Sequence, residues 1–151
     1  MDFATETTLR SPIVFDQMRQ AHQVGFVVRF VYVCVDDIGT SIDRVAGRAV
    51  LGGHSGSEDT VRDIRAKSLA DLPRALHELG NTIDILDIYD NSAFGIPPKR
   101  IASFHDRRIA FLDPLIPPWL EQALRPTPYS TPKLLALFQQ KQPLPEPSIF
   151  S

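Results

Sequence analysis

Apolar residues in the first third of the chain follow two different periods. Between Ile13 and Val24, the residues Val14, Met18 and Ala21 recur every three or four positions, the spacing of one helix face. Ser11 suits a helix cap, Pro12 suits a first helical position, and Gly25 ends the run. Phe26 to Val35, FVVRFVYVCV, then holds β-branched and aromatic residues with one charge, Arg29. That run predicts a strand buried on both faces, as in a parallel sheet. A helix starting at Asp36 or Asp37 follows and carries Arg44 and Arg48. Gly52-Gly53-His54 breaks it, because glycine readily takes the left-handed conformation that ends helices. Ser55-Gly56-Ser57-Glu58 fits the S-x-x-E capping pattern, so a second helix is expected from about Ser57 to Leu79, bent at Pro73. Thr82 to Tyr89, TIDILDIY, predicts another strand, closed by the turn residues Asp90-Asn91-Ser92. This order of elements is that of an α/β domain with a parallel sheet.

Past Pro97-Pro98, the segments Arg100 to Phe104 and Arg108 to Leu112 predict a β-hairpin turning at His105-Asp106-Arg107. Pro117-Pro118-Trp119-Leu120 opens a short helix ending near Leu124, with Trp119 as a packing anchor. From Arg125 the composition shifts towards Pro, Gln and Ser. Apart from one short helix over Lys133 to Lys141, residues 125–151 read as an extended or mostly disordered tail behind a domain spanning 1–124. Met1 to Thr8 is partly β-prone and reads as the end of a strand, a hint that the domain begins inside a larger one.

Composition narrows the function classes. The 151 residues suggest one domain with a sizeable core. A formal net charge of −2 gives no global basic field for nucleic acid. No apolar run reaches transmembrane length, and no secretory signal opens the chain. Cys34 is the only cysteine, so no disulfide forms within one chain, and a cytoplasmic setting is expected. His22, His54, His77 and His105 lack zinc-ligand spacing, and no metal site is expected.

The candidate chemistry lies in Arg44 to Arg65, RVAGRAVLGGHSGSEDTVRDIR. Arg44 and Arg48, four apart, share one helix face, and Arg62 and Arg65 fall in the first two turns of the next helix. Four guanidinium forks around a glycine hinge suit phosphate oxygens and a closing lid. A solvated helical pair whose arginines meet Asp43, Glu58, Asp59 and Asp63 is the plainer reading. His54 suits either a phosphate or ribose contact, or a helix cap. Glu6 stands at the end of the first strand candidate, where parallel sheets bind ligands, and a surface charge explains it equally. Tyr89-Asp90-Asn91-Ser92 is a binding loop or a simple turn.

From about Phe3 to Leu124 the sequence resembles the zeta toxin-like P-loop kinases. Phe3-Ala4-Thr5-Glu6-Thr7-Thr8-Leu9 is similar to the family's F-x-x-E-[TG]-T-L strand end. Asp43-Arg44-Val45-Ala46-Gly47-Arg48, then Gly52-Gly53-His54 and Glu58, resembles its E-R-V-x-x-R-x-x-x-G-G-H-x-[IV]-P-E segment. Tyr89 to Ser92 matches its Y-D-N-S. The resemblance implies a P-loop NTPase-like fold with a helical lid, and ATP-dependent phosphoryl transfer, with Mg²⁺, to a small acceptor such as a UDP-amino sugar. Carried over by position, Arg48 and Arg62 are the catalytic lid residues on the ATP side. Arg44 and His54 support them, with Arg65 beside the nucleotide but displaced from the family's cluster. Glu6 and Thr8 face the acceptor. The family's Walker A half has no counterpart here, since G-x-x-x-x-G-K-[ST] is absent, and Ser57 stands where the lid proline is expected. The chain alone is therefore expected to be inactive and to bind nucleotide weakly. The alternative is a non-enzymatic nucleotide-binding remnant, or an interaction module that pairs with a P-loop-bearing partner through the exposed edge of the Phe26 to Val35 strand; an antitoxin is the other partner expected.

Overall fold

The computed structural model describes residues 1–52 and 56–146. Its elements run α1 (Ile13–Gln23), β1 (Arg29–Cys34), α2 (Ile38–Val50), α3 (Glu58–His77), β2 (Ile85–Asp90), β3 (Lys99–His105), β4 (Arg108–Leu112), α4 (Pro118–Leu124) and α5 (Thr131–Gln139). Local chemistry places the helix ends. The Asp37 carboxylate accepts from the Thr40 amide at 3.1 Å and caps α2. Gly52, at φ +85°, ends α2 in the left-handed conformation expected of it. The cap of α3 is Ser57, which accepts from the Thr60 amide at 3.2 Å, rather than Ser55 of the S-x-x-E pattern. Ser55, like Gly53 and His54, lies outside the described residues.

The four strands form one mixed sheet in the order β1-β2-β3-β4. Only β1 and β2 are parallel, with Arg29 beside Ile85 and Cys34 beside Asp90. That pair is the parallel part expected of the first two strands, and the expected hairpin joins it antiparallel, so the sheet is mixed rather than parallel throughout. Connection length explains the difference. The long α2–α3 crossover permits parallel strands, whereas the turn between β3 and β4 is too short for anything but a hairpin. Asp106 makes that turn at φ 52°, a conformation that Asp tolerates better than most residues. The hairpin lies where the sequence predicts it.

Two further expectations are corrected. β1 is buried on one face only. Phe30 and Tyr32 enter the core, while Val31 and Val33 are 49% and 50% exposed. Met1 to Thr8 forms no strand. Phe3 instead packs edge-on against Phe26, with ring centroids 5.3 Å apart, and Leu9 enters the core.

One core joins Phe15 of α1, Leu72 and Leu76 of α3, Leu86 and Ile88 of β2, Phe104 of β3 and Trp119 of α4. It also takes in Tyr129, Leu134 and Leu144, so the segment expected to be a mostly disordered tail packs into the core as far as Leu144. The Leu144 amide donates to the Arg107 carbonyl at 2.8 Å. The Arg107 guanidinium donates to the carbonyls of Leu79, Leu144 and Pro145. Gly80 makes room for it: a Cβ there would lie 2.9 Å from Arg107 Cγ, and its φ of +77° already favours glycine.

Asp87, on β2, is 1% exposed and ties three strands together. It accepts from Ser103 Oγ of β3 at 2.6 Å and from Arg29 Nε and Nη2 of β1 at 2.9 and 2.6 Å. Burial acts to raise its pKa, but the bonds from Ser103 and Arg29 and the charges of Arg29 and Arg100 outweigh it. The carboxyl therefore titrates below the ordinary 3.8. A depressed pKa in the folded state gives stability that is present above pH 3.8 and lost as pH falls through the folded value. Replacing Asp87 by Asn is expected to cost about 2 kcal/mol at neutral pH, the scale of a charge-assisted hydrogen bond. The variant is also expected to lose less stability than the wild type between pH 4 and pH 2. Parallel urea melts across that range would refute this if both proteins lost stability equally.

Candidate functional site

Because β1 and β2 run in parallel, their carboxyl ends meet at one end of the sheet, where α2 and α3 begin and return. The Asn91 amide donates to the Cys34 carbonyl at 2.7 Å, extending the ladder past the strand. Ser92 Oγ donates to Asp90 Oδ1 at 2.6 Å and accepts from the Asp36 amide at 2.7 Å. Trp119 Nε1 donates to the same Asp90 oxygen at 3.0 Å. The Asp90-Asn91-Ser92 segment thus laces the two strand ends to each other and to α4.

Two of the four arginines are absorbed by this lacing. Arg44 of α2 donates to the Asn91 carbonyl at 2.8 Å and to the Ala93 carbonyl at 3.4 Å. Arg65 of α3 donates to the carbonyls of Val35 and Asp36, the latter at 2.8 Å, and its Nη1 lies 3.2 Å from Cys34 Sγ. These forks stitch the helical pair to the strand ends. Arg48 and Arg62 differ. Both are exposed, and Arg62 reaches only Glu58, at 3.8 Å, one turn away. Arg48 has no ion pair or side-chain hydrogen bond among the described residues. The plainer sequence reading, arginines meeting acids along the helices, holds for Arg62 alone.

Gly56 sits where the two helices approach. A Cβ there would lie 3.9 Å from Val61 Cγ2 and 4.0 Å from Val45 Cγ1. Arg48 is one helical turn beyond Val45, and Arg62 adjoins Val61. Both exposed arginines lie between the Arg44 and Arg65 anchors in sequence, on the hinge side of the arm. Glu6 and Thr8 are exposed, and no side-chain hydrogen bond or ion pair among the described residues joins them to the four arginines. His54 lies outside the described residues.

The Cys34 thiol is half-buried. Burial pushes its pKa up, and the Arg65 charge offsets only part of that, so the thiol stays protonated at neutral pH. Burial likewise raises the pKa of Tyr32, whose hydroxyl accepts from Ser68 Oγ at 3.0 Å. Asp37 titrates low because the amides of Gly39 and Thr40 donate to it, as a helix cap requires. These groups have structural partners and none is poised as a nucleophile or general base.

Among the described residues no group of three or more His, Cys, Asp or Glu side chains converges to hold a metal ion. No helix among them is long and apolar enough to cross a membrane. Two open clefts are lined, respectively, by Arg74, His77 and Tyr129 and by Leu115, Ile116 and Leu135, and none of the four arginines lines either.

Comparison with protein families, curated proteins and solved structures finds no match to this chain. Sequence reasoning grouped the four arginines together and missed the division among them, two bonded to main-chain carbonyls and two exposed. It also missed the Asp90–Trp119 bond, whose partners stand 29 positions apart.

Proposed function

We propose that α2 and α3 form a phosphate-gripping arm, the lid-bearing part of a zeta toxin-like, P-loop NTPase-like kinase acting in the cytoplasm. The observation that carries this reading is the contrast between Arg44 and Arg65, spent on main-chain carbonyls, and Arg48 and Arg62, left exposed on the arm. A guanidinium without a strong internal partner keeps its fork for phosphate oxygens. Arg48 and Arg62 take the catalytic roles, steadying charge on the transferring phosphoryl group. Arg44 and Arg65 position the arm, and His54, between the two helices in the sequence, is the remaining nucleotide-side candidate. The acceptor would be a small molecule such as a UDP-amino sugar, met by Glu6 and Thr8.

On this reading the chain binds Mg·ATP weakly and does not turn it over alone. Positioning by the P-loop and its metal supplies most of the catalysis in this reaction class, and no such loop is in this sequence. A P-loop-bearing partner chain would have to complete the site, and an antitoxin would then be a second partner. The same features support a second reading, a nucleotide-binding remnant with no reaction of its own. Its distinguishing outcome is binding that persists while no partner restores turnover.

Titration calorimetry with inorganic tripolyphosphate, and separately with Mg·ATP, tests the arm. Replacing Arg48 and Arg62 together by Ala is expected to weaken binding at least tenfold, since each charge-assisted bond is worth about 1.5–3 kcal/mol and 1.4 kcal/mol is a factor of ten. ADP release by the chain alone is expected to stay at background. Equal binding by the variant and the wild type, or turnover that survives in the variant, would overturn the reading.

A further inference from the structure

Parallel pairing with β2 uses only alternate residues of β1. The Val28 carbonyl accepts from the amides of Asp84 and Ile85 at 2.9 and 3.2 Å, and the Cys34 carbonyl accepts from Asn91. In a parallel ladder a residue directs its N–H and its C=O towards the same neighbouring strand. The even positions from 28 to 34 therefore face β2, and Arg29, Val31 and Val33 point their main-chain groups the other way. β1 ends the sheet, so among the described residues no strand lies on that side. No hydrogen bond among the described residues reaches those outward groups.

The opposite edge is treated differently. α5 packs against β4, and the Leu144 amide bonds beside it to Arg107. Exposed edges are usually guarded by lysine, proline, a bulge or a covering element. β1 has no proline, no lysine and no register shift. Its one charge, Arg29, is drawn onto Asp87 of its own sheet. Val31 and Val33 stand half-exposed on the strand's outer face, with Val27 exposed just before it.

We propose that this edge pairs antiparallel with β1 of a second copy of the chain, about a two-fold axis at Val31. In that register Val31 faces Val31 of the second copy, and Arg29 faces Val33 of the second copy. Each such pair exchanges two main-chain hydrogen bonds, so every outward group from 29 to 33 is satisfied in both copies. The two Arg29 side chains do not oppose each other, which avoids the like-charge contact that disfavours many strand pairs. The valines of both copies line up on one face. A second copy is favoured because the edge complements itself: the same short run supplies both sides of the pair, with a β-branched residue on the axis. The result is a continuous eight-stranded sheet. None of the arm's arginines takes part, so this inference does not rest on the phosphate reading, although a P-loop-bearing partner at this same edge would compete with the second copy.

Cysteine cross-linking reads the register directly. In a Cys34→Ser background, Val31→Cys is expected to form a disulfide-linked dimer under mild oxidation, because directly opposed Cα atoms lie about 5.5 Å apart, within bridging range. Val33→Cys is expected to stay monomeric on a non-reducing gel, since the two copies of residue 33 would be about 14 Å apart. Val31→Pro supplies the second arm. It removes an outward N–H and no bond to β2, and edge strands tolerate proline at such a position. Circular dichroism is expected to show an unchanged fold for Val31→Pro. Light scattering is expected to show a dimer for the wild type and a monomer for this variant. A wild type that is monomeric up to its solubility limit, cross-linking by Val33→Cys as efficient as by Val31→Cys, or a Val31→Pro variant that remains dimeric would each overturn the proposal.

Discussion

Ending the chain at Arg125 is expected to abolish the fold. The deletion removes Tyr129, Leu134 and Leu144, all buried in the common core. Burying one such side chain contributes about 1.5–3 kcal/mol, so the three together contribute about 5–9 kcal/mol. The total stability of a small domain is only about 5–15 kcal/mol. The deletion also strips Arg107 of its contacts with Leu144 and Pro145, leaving much of a guanidinium without partners in a half-buried position. A thermal melt of the shortened chain, followed by far-ultraviolet circular dichroism, is expected to show no cooperative transition. Limited proteolysis of the full chain is expected to spare the bonds between Tyr129 and Leu144. A shortened chain that melts cooperatively near the temperature of the full one would return residues 125–146 to the disordered class that their composition suggests.

The second large effect is expected at Trp119. Its ring is among the largest fully buried side chains, stands 6.0 Å from Tyr32 and bonds through Nε1 to Asp90. Trp119→Ala opens a cavity that the surrounding core fills only in part, at a cost of about 3–5 kcal/mol. It also leaves the shared Asp90 oxygen with Ser92 alone. Trp119→Phe keeps most of the volume and loses the N–H, so its cost should fall to about 1–2 kcal/mol. Urea denaturation of both variants separates the packing loss from the hydrogen-bond loss. Equal destabilisation by the two would show that the Asp90 bond outweighs packing at this site.

Element order was legible because the local signals agree. FVVRFVYVCV is β-branched and aromatic, Gly52 marks a helix end, and the hairpin turn falls where Asp106 tolerates a positive φ. The burial of β1 was not legible. Whether a strand is covered on one face or two depends on what lies against it, and six apolar residues in a row, Phe30 to Val35, look the same either way. Proline and glutamine hid the packing of the last segment: Leu134 and Leu144 are ten positions apart and reach the core through contacts with distant elements. At the candidate site the sequence grouped the arginines of the two helices but could not say which arginine faces what. Arg44 is occupied by carbonyls 47 and 49 positions away. A guanidinium aimed at a carbonyl and one aimed at a phosphate have the same spelling.

The bond between Leu144 and Arg107 also sets an order of events on the ribosome. Leu9 belongs to the same core as Leu144, so the first part of that core leaves the exit tunnel long before the last. Residues emerge at about 5–20 per second, and the interval between Leu79 and Leu144 is therefore on the order of seconds. The β3–β4 hairpin needs only local contacts and can close during that time. The sheet's apolar face waits for its last leucines, and chaperones have that interval in which to bind it.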